Sequence, residues 1–135
     1  MKKYKPQTKE ELKNLVFTDG IKLSCVDTSL ITDMSYLFQK SERKDFEGIE
    51  DWDVSNVEDM SYMFAYMSYD SFESRSKAKF NRNLNNWNVS KVKHMSFMFY
   101  YCNDFNQPLD KWDVSNVEDM FRMFDNCKKF NQPLN

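Results

Sequence analysis

Few side chains in this chain have the types and spacing that catalysis or metal binding requires. His94 is the only histidine, and other copies of a repeat place Asp33, Asp59 and Asp119 at the same position. We therefore interpret His94 as a polar capping residue and not as a general base. The sequence has no H-E-x-x-H, G-x-S-x-G or C-x-x-C motif. It predicts no catalytic residue, no metal site, no cofactor and no enzyme.

Two recurring carboxylates are the closest approach to a cation site. Asp53 and Asp113 hold one repeat position, which Asn88 occupies in the copy between them. Carboxylates on adjacent turns can bind calcium, but one of these copies supplies an amide and no calcium-loop motif is present. Two readings remain open: a solvated ladder, or side chains that accept hydrogen bonds from turn backbones.

Three cysteines could carry redox chemistry. Cys102 and Cys127 share a repeat position that Met67 fills in an earlier copy, which favours an apolar slot. We favour reduced, buried thiols, which behave as small apolar groups. The alternative is a disulfide between neighbouring turns, which would leave Cys25 unpaired.

A repeat must position all these residues. The segment 52–60, which begins W-D-V-S-N, recurs without change at 112–120, and a third copy lies at 87–95. Trp87 and Trp112 are 25 residues apart. A fixed period of this length marks stacked units, each of which buries its apolar face only against its neighbours. The apolar positions of the last complete copy are Phe105, Leu109, Trp112, Val114, Val117, Met120, Met123, Phe124 and Cys127.

Local patterns predict two elements in each unit. The alternation from Leu109 to Val114, with aromatic and β-branched residues, favours a short strand. Apolar residues at i, i+3 and i+4 from Met120 favour one or two helical turns. Asp119 could cap that helix, or Ser115 could form a capping box one register earlier. The predicted fold class is an α/β repeat solenoid with one short strand and one short helical segment per turn.

The first 20 residues differ from the repeat and predict a capping helix. Thr8 and Glu11 fit a capping box, Leu12 begins an apolar face, and Gly20 is the predicted C-cap. We expect this helix to cover the first turn. Residues 21–135 then form the solenoid, with about four turns, a partial fifth and an insertion near 68–79.

Two sets of residues are candidates for binding. If the predicted strands form, their outward positions give a strip of acids and amides across three turns, and repeat proteins bind through such faces. That strip contains Asp51, Asp53, Asn86, Asn88, Lys111 and Asp113. The insertion supplies side-chain types that recur at binding hot spots, namely Tyr69, Phe72 and Arg75.

The repeat pattern L-x-x-W-x-V-S-x-V-x-x-M-x-x-M-F resembles the BspA-like leucine-rich repeat proteins, in particular their 25-residue variant from bacterial surface proteins and lipoproteins. The resemblance covers about residues 20–135. It implies a right-handed leucine-rich-repeat-like coil and a place at the bacterial surface, where some members of the family act as adhesins. The family has no shared binding motif, so the resemblance assigns no binding residue here.

Composition narrows the classes of partner. The chain of 135 residues has a net charge of −2 and no basic stripe, which disfavours nucleic acid. No apolar run is long enough to span a bilayer, and no secretory signal follows Met1. By sequence the chain is therefore cytoplasmic, whereas the resemblance implies the cell surface.

We predict a non-catalytic protein-binding repeat module of the adhesin-like type. The alternatives are a cytoplasmic interaction scaffold or a repeat domain of a larger protein. The array ends at 130–135 without a polar cap, and an exposed edge invites pairing. Three readings remain open: the chain is a fragment, it forms a homodimer through the C-terminal end, or its last six residues partly cover the final turn.

Overall fold

The computed structural model describes residues 2–67 and 80–133. Among these residues, one α-helix, α1, spans Lys9–Val16, and two short 3-10 helices span Leu23–Cys25 and Ile49–Asp51. Tight turns and isolated bridges form the rest of the described chain. We refer to residues 21–45, 46–67, 80–104 and 105–129 as units 1 to 4, and residues 130–133 begin a further copy.

Helix α1 forms where the capping signals place it. The Thr8 hydroxyl accepts a hydrogen bond from the Glu11 N–H at 3.2 Å, and the Glu11 carboxylate accepts one from the Gln7 N–H at 2.7 Å. Leu12 and Val16 are fully buried in the core of the repeat. The predicted C-cap is wrong, because the helix is capped at Phe17 and Gly20 lies three residues further on with φ of +85°.

The prediction of an α/β solenoid with a strand and a helix in each turn is wrong. Where a strand was predicted, the chain makes two tight turns: the Trp112 N–H donates to Leu109 O, and the Val117 N–H donates to Val114 O. Units 2 and 3 repeat both turns at their own tryptophans. Apolar side chains therefore point inward at corners of the chain, and not on alternate positions of an extended segment.

The predicted helix from Met120 to Phe124 is also a run of turns, so neither proposed cap applies. The Met123 N–H donates to Met120 O, but Arg122 between them has φ of +53°, outside the right-handed helical region. Two successive turns place residues i, i+3 and i+4 on one side, as a helix does. Spacing alone could not distinguish the two.

The units are joined by main-chain hydrogen bonds between equal positions. Isolated parallel bridges pair Asp33 with Asp59, Asp59 with His94, and His94 with Asp119. Beyond each bridge, every second N–H of one unit donates to a carbonyl of the next, and we call this set of bonds the amide ladder. Between units 3 and 4 its bonds are Met95 N to Asp119 O (2.8 Å), Phe97 N to Phe121 O (2.9 Å), Phe99 N to Met123 O (3.0 Å) and Tyr101 N to Asp125 O (3.0 Å).

Aromatic rings of successive units stack to form the core. The rings of Phe38, Phe64, Phe99 and Phe124 follow one another at 5.4 to 5.6 Å between centroids, with planes within 10°. Each tryptophan indole N–H donates to a carbonyl of the preceding unit: Trp52 to Leu23 O (2.9 Å), Trp87 to Ile49 O (2.9 Å) and Trp112 to Leu84 O (2.8 Å). Each buried indole donor thereby has an acceptor and fixes the spacing of its unit.

The additional residues of the second copy leave the core register unchanged. The Phe64 and Phe80 rings lie 4.4 Å apart, close to the 4.2 Å between Phe99 and Phe105. The same ring pair forms across 16 residues in one case and 6 in the other.

Arg43 ties helix α1 to unit 1. Its guanidinium donates to Val16 O at 2.9 Å and Ile21 O at 2.8 Å, with longer bonds to Thr18 O at 3.4 Å and Asp45 O at 3.3 Å. The carbonyl of the last helical residue and two carbonyls beyond it, those of Thr18 and Ile21, thus receive charged donors from one side chain.

Candidate binding surface

An aromatic surface runs along the outside of the units. It consists of Tyr36, Tyr62, Tyr66, Phe97, Tyr100, Tyr101 and Phe121. Tyr36, Tyr66 and Phe121 are exposed, at 41%, 38% and 61%, and the other four rings are half-buried. Large apolar side chains that remain exposed together on a folded chain mark interaction surfaces.

A stacked row of three rings is the centre of this surface. Tyr36, Tyr62 and Phe97 come from units 1, 2 and 3, and each neighbouring pair has centroids 4.6 Å apart with planes 8° apart. The amide ladder places them in register, because all three N–H groups donate to the next unit. Such pairs are worth about 0.5–1.5 kcal/mol each beyond the area they bury.

Further rings extend the stacked row on one side. Tyr66 and Tyr101 stack at 5.5 Å, and Tyr100 meets Phe97 edge to face at 5.1 Å. Phe121 also meets Phe97 edge to face, at 5.6 Å. The surface thus contains rings from all four units.

The backbone beneath the rings adopts a conformation that such residues rarely take. Tyr36, Tyr62 and Phe97 have φ between +57° and +60°, and Tyr66 and Tyr101 have +66° and +58°. This left-handed region suits glycine or asparagine, and bulky side chains there cost about 1–3 kcal/mol each. Among the described residues, eight non-glycine positions have positive φ, and aromatic residues occupy five of them.

The surface is uncharged at its centre and charged at its ends. Partial burial raises the pKa of the Tyr62 phenol, and the nearby Tyr36 and Tyr100 raise it further, so the hydroxyl stays protonated at neutral pH. Lys9 lies 3.4 Å from Asp33 near one end, and the Arg122 guanidinium lies 5.2 Å from the Phe121 ring centre at the other. An apolar centre with a polar rim is the usual anatomy of a protein interface.

The six residues predicted from a strand face are all exposed, but no strand presents them. Three of them use their side chains locally, since Asp53, Asn88 and Asp113 accept hydrogen bonds from main-chain N–H groups two residues ahead, at 2.9 to 3.1 Å. This geometry is an Asx turn. It favours the second of the two readings of the carboxylates, in which they serve the backbone of the turn.

Asp51, Asn86 and Lys111 lie exposed at the corners that precede these turns. The predicted loop residues Tyr69, Phe72 and Arg75 lie outside the described residues.

The aromatic surface was missed by sequence reasoning, although a signal for it exists. The tripeptide Met-Ser-aromatic recurs at 34–36, 60–62 and 95–97, and its third residue is the stacked row. The apolar spacing of i, i+3 and i+4 in the same segment predicts the buried side of a helix, and this stronger pattern conceals the recurrence.

The cysteines are free thiols in the structure. Cys102 and Cys127 each donate a weak hydrogen bond from Sγ to a carbonyl of the preceding unit, at 2.8 Å. Burial raises the pKa of Cys102 well above its usual value and that of Cys127 to about 11. Such thiols are poor nucleophiles at neutral pH. In the described part of the chain no three His, Cys, Asp or Glu residues converge as a metal site.

Within residues 2–67 and 80–133, no helix is both long and apolar enough to cross a membrane. Comparisons with curated proteins and with solved structures return no match to the chain. The model of one family does match, over residues 9–135, and that family is described as "Mycoplasma protein of unknown function, DUF285". Because the match covers almost the whole chain, the protein belongs to the DUF285 family.

Proposed function

We propose that this chain is a non-catalytic protein-binding repeat module and that the aromatic surface is its binding face. The observation that carries the proposal is the stacked row of Tyr36, Tyr62 and Phe97 on left-handed backbone, with Tyr36 exposed and the other two rings half-buried at the surface. Conformational strain persists where surrounding structure imposes it, and it concentrates at functional sites. Tyrosine and phenylalanine are also enriched in protein interfaces.

The stacked row has a purely structural explanation as well, because ring stacking stabilises the coil. The buried rings of Phe38, Phe64 and Phe99 already stack along the same direction inside the core. A second aromatic stack on the outside is not needed to set the register, which the amide ladder supplies. The proposal is therefore that the outer rings are retained for contact with a partner.

The nature of the partner follows from the character of the surface. The centre carries no formal charge, so we propose a polypeptide and not a nucleic acid, which would require a basic face. Resemblance to BspA-like proteins supports a place for this module at a bacterial surface, in the manner of an adhesin. A cytoplasmic scaffold is the alternative, and protease treatment of intact cells separates the two, because only a surface protein is digested.

Selection from a random peptide library on the immobilised chain tests the proposal. The selected peptides are then measured against the triple variant Tyr36→Asn, Tyr62→Asn and Phe97→Asn. Asparagine tolerates positive φ, so this variant removes the rings without imposing new backbone strain. The control variant, Asn86→Lys with Lys111→Glu, alters the exposed corners and leaves the rings in place.

We expect the selected peptides to bind the triple variant at least about 10-fold more weakly than the original chain, because central aromatic residues dominate interface energies. They should bind the control variant with unchanged affinity. Circular dichroism must show that both variants fold. The proposal fails if no peptide is enriched, or if the selected peptides bind the triple variant as well as they bind the original chain.

A further inference from the structure

The stacked row offers a partner its side chains and no main-chain edge. The N–H groups of Tyr36, Tyr62 and Phe97 donate to carbonyls of the next unit at 2.9 to 3.0 Å. The carbonyls of the same three residues accept hydrogen bonds from the N–H groups three residues ahead, at 3.1 to 3.2 Å. Addition of a strand requires unpaired main-chain groups. A partner is therefore recognised at this row through the rings and their hydroxyls.

The spacing of the row distinguishes between the conformations that a bound peptide can adopt. Neighbouring ring centres lie 4.6 Å apart, and repetition of the same step puts those of Tyr36 and Phe97 about 9.2 Å apart. One turn of a polyproline II helix has three residues and advances about 9.3 Å, so its side chains at i and i+3 match these two rings. Side chains on one face of an extended strand recur at about 6.7 Å, and one turn of an α-helix advances about 5.4 Å, so neither keeps register with the row.

Two phenol hydroxyls supply hydrogen-bond donors along the row. Within residues 2–67 and 80–133, no acceptor of the protein receives the hydroxyl of Tyr36 or of Tyr62. A polyproline II helix has no internal hydrogen bonds, so its carbonyls are free to accept such donors. The Tyr62 hydroxyl belongs to the middle ring of the row, between the two rings that match one turn of the helix.

We infer that the stacked row binds a proline-rich segment in the polyproline II conformation, with prolines three residues apart on Tyr36 and Phe97 and a carbonyl between them that accepts the Tyr62 hydroxyl. This inference rests on the proposed function and specifies its partner. A polyproline II segment loses little conformational entropy on binding, and surfaces lined by aromatic residues recognise it.

Lys40 gives the bound segment a direction. It holds in unit 1 the position of Tyr66 and Tyr101, and all three residues have positive φ, which is +64° at Lys40. Lys40 is exposed, and it takes part in no ion pair among the described residues. Because the aromatic centre is uncharged, an acidic residue at one end of the segment complements this ammonium group and fixes which end lies at unit 1.

Two phage-displayed nonapeptide libraries test the inference on the complete chain. Every peptide contains three prolines and is random elsewhere; proline stands at every third position in the first library and at every second position in the control library. Proline content is therefore matched, and the libraries differ in whether the prolines recur on one side of the helix. Selected peptides are synthesised together with versions of the same composition in which the prolines are respaced, and all affinities are measured by isothermal titration calorimetry.

We expect the first library to yield peptides that bind at least about 10-fold more tightly than their respaced versions. They should bind the triple variant Tyr36→Asn, Tyr62→Asn and Phe97→Asn at least about 10-fold more weakly than the original chain. Equal affinity of the respaced versions, or no enrichment from the first library, overturns the inference. The proposed function survives that result if a library without fixed prolines still yields peptides that depend on the rings, and it fails as well if no such peptide is found.

The direction of the segment is tested by reversing the charge of Lys40. Lys40→Glu should weaken the selected peptides at least about 3-fold, and lysine in place of the acidic residue of the peptide should restore the affinity. Lys44→Glu is the matched control, because Lys44 is an exposed lysine of the same unit. Equal losses in the two variants, or no restoration, overturn the role assigned to Lys40.

Discussion

The left-handed backbone conformation of Tyr62 leads to a prediction about stability that the contacts of its side chain alone would not give. We compare Tyr62→Ala with Tyr62→Asn. Both variants remove the ring that stacks on Tyr36 and Phe97 at 4.6 Å. They differ in how well the new residue tolerates φ of +58°.

The magnitudes follow from the two ring contacts and the backbone. Loss of two stacked pairs costs about 1–3 kcal/mol, at about 0.5–1.5 kcal/mol for each pair. Alanine keeps the cost of the left-handed conformation, whereas asparagine reduces it by about 1 kcal/mol because its short polar side chain adopts αL more readily. The Tyr62→Asn variant should therefore be about 1 kcal/mol more stable than the Tyr62→Ala variant, although asparagine has no higher helix or strand propensity than alanine.

Urea unfolding followed by tryptophan fluorescence measures this difference. At typical slopes for a protein of this size, about 1 kcal/mol shifts the midpoint by about 0.5 M. Lys93 provides the control, because it is exposed and its φ is not positive, so Lys93→Asn should give no gain over Lys93→Ala. A Tyr62→Asn variant no more stable than Tyr62→Ala would refute the argument from backbone strain.

Three further predictions concern other parts of the chain. Arg43→Lys should lower the free energy of unfolding, measured by urea titration, by about 2 kcal/mol, because one ammonium cannot donate hydrogen bonds to the carbonyls of both Val16 and Ile21. A loss below about 0.5 kcal/mol would contradict this. Cys127, whose pKa burial raises to about 11, should react with iodoacetamide at pH 8 at least about 10-fold more slowly than an unfolded cysteine, and equal rates in mass spectrometry would count against its burial. The hydrogen bond from Arg82 lowers the pKa of Glu50 below 4.5. The resulting stabilisation, up to about 1 kcal/mol, is present above pH 4.5 and is lost as the pH falls through the lowered pKa. Glu50→Gln should remove this acid dependence in unfolding curves measured from pH 6 to pH 3.

Several features could be read from the sequence because they depend on repetition or on local signals. The equivalence of His94 with Asp59 and Asp119 follows from alignment of the copies, and the parallel bridges bear it out. Helix α1 begins after Thr8 because its capping signals are local. The burial of Trp52 and Trp87 likewise follows from apolar residues that recur at one position.

The path of the chain within each unit was decided only by the tertiary structure. Apolar spacing from Met120 to Phe124 fits a helix and two successive turns equally well, and the choice depends on where the N–H groups find acceptors. In units 1 to 3 these N–H groups donate to carbonyls of the next unit and not to carbonyls four residues earlier. A single unit in isolation does not reveal this choice. The same inter-unit bonds bring Tyr36, Tyr62 and Phe97 into one row, so the aromatic surface exists only once the units have stacked. Repetition thus determined which residues are equivalent, and long-range hydrogen bonding determined what conformation they share.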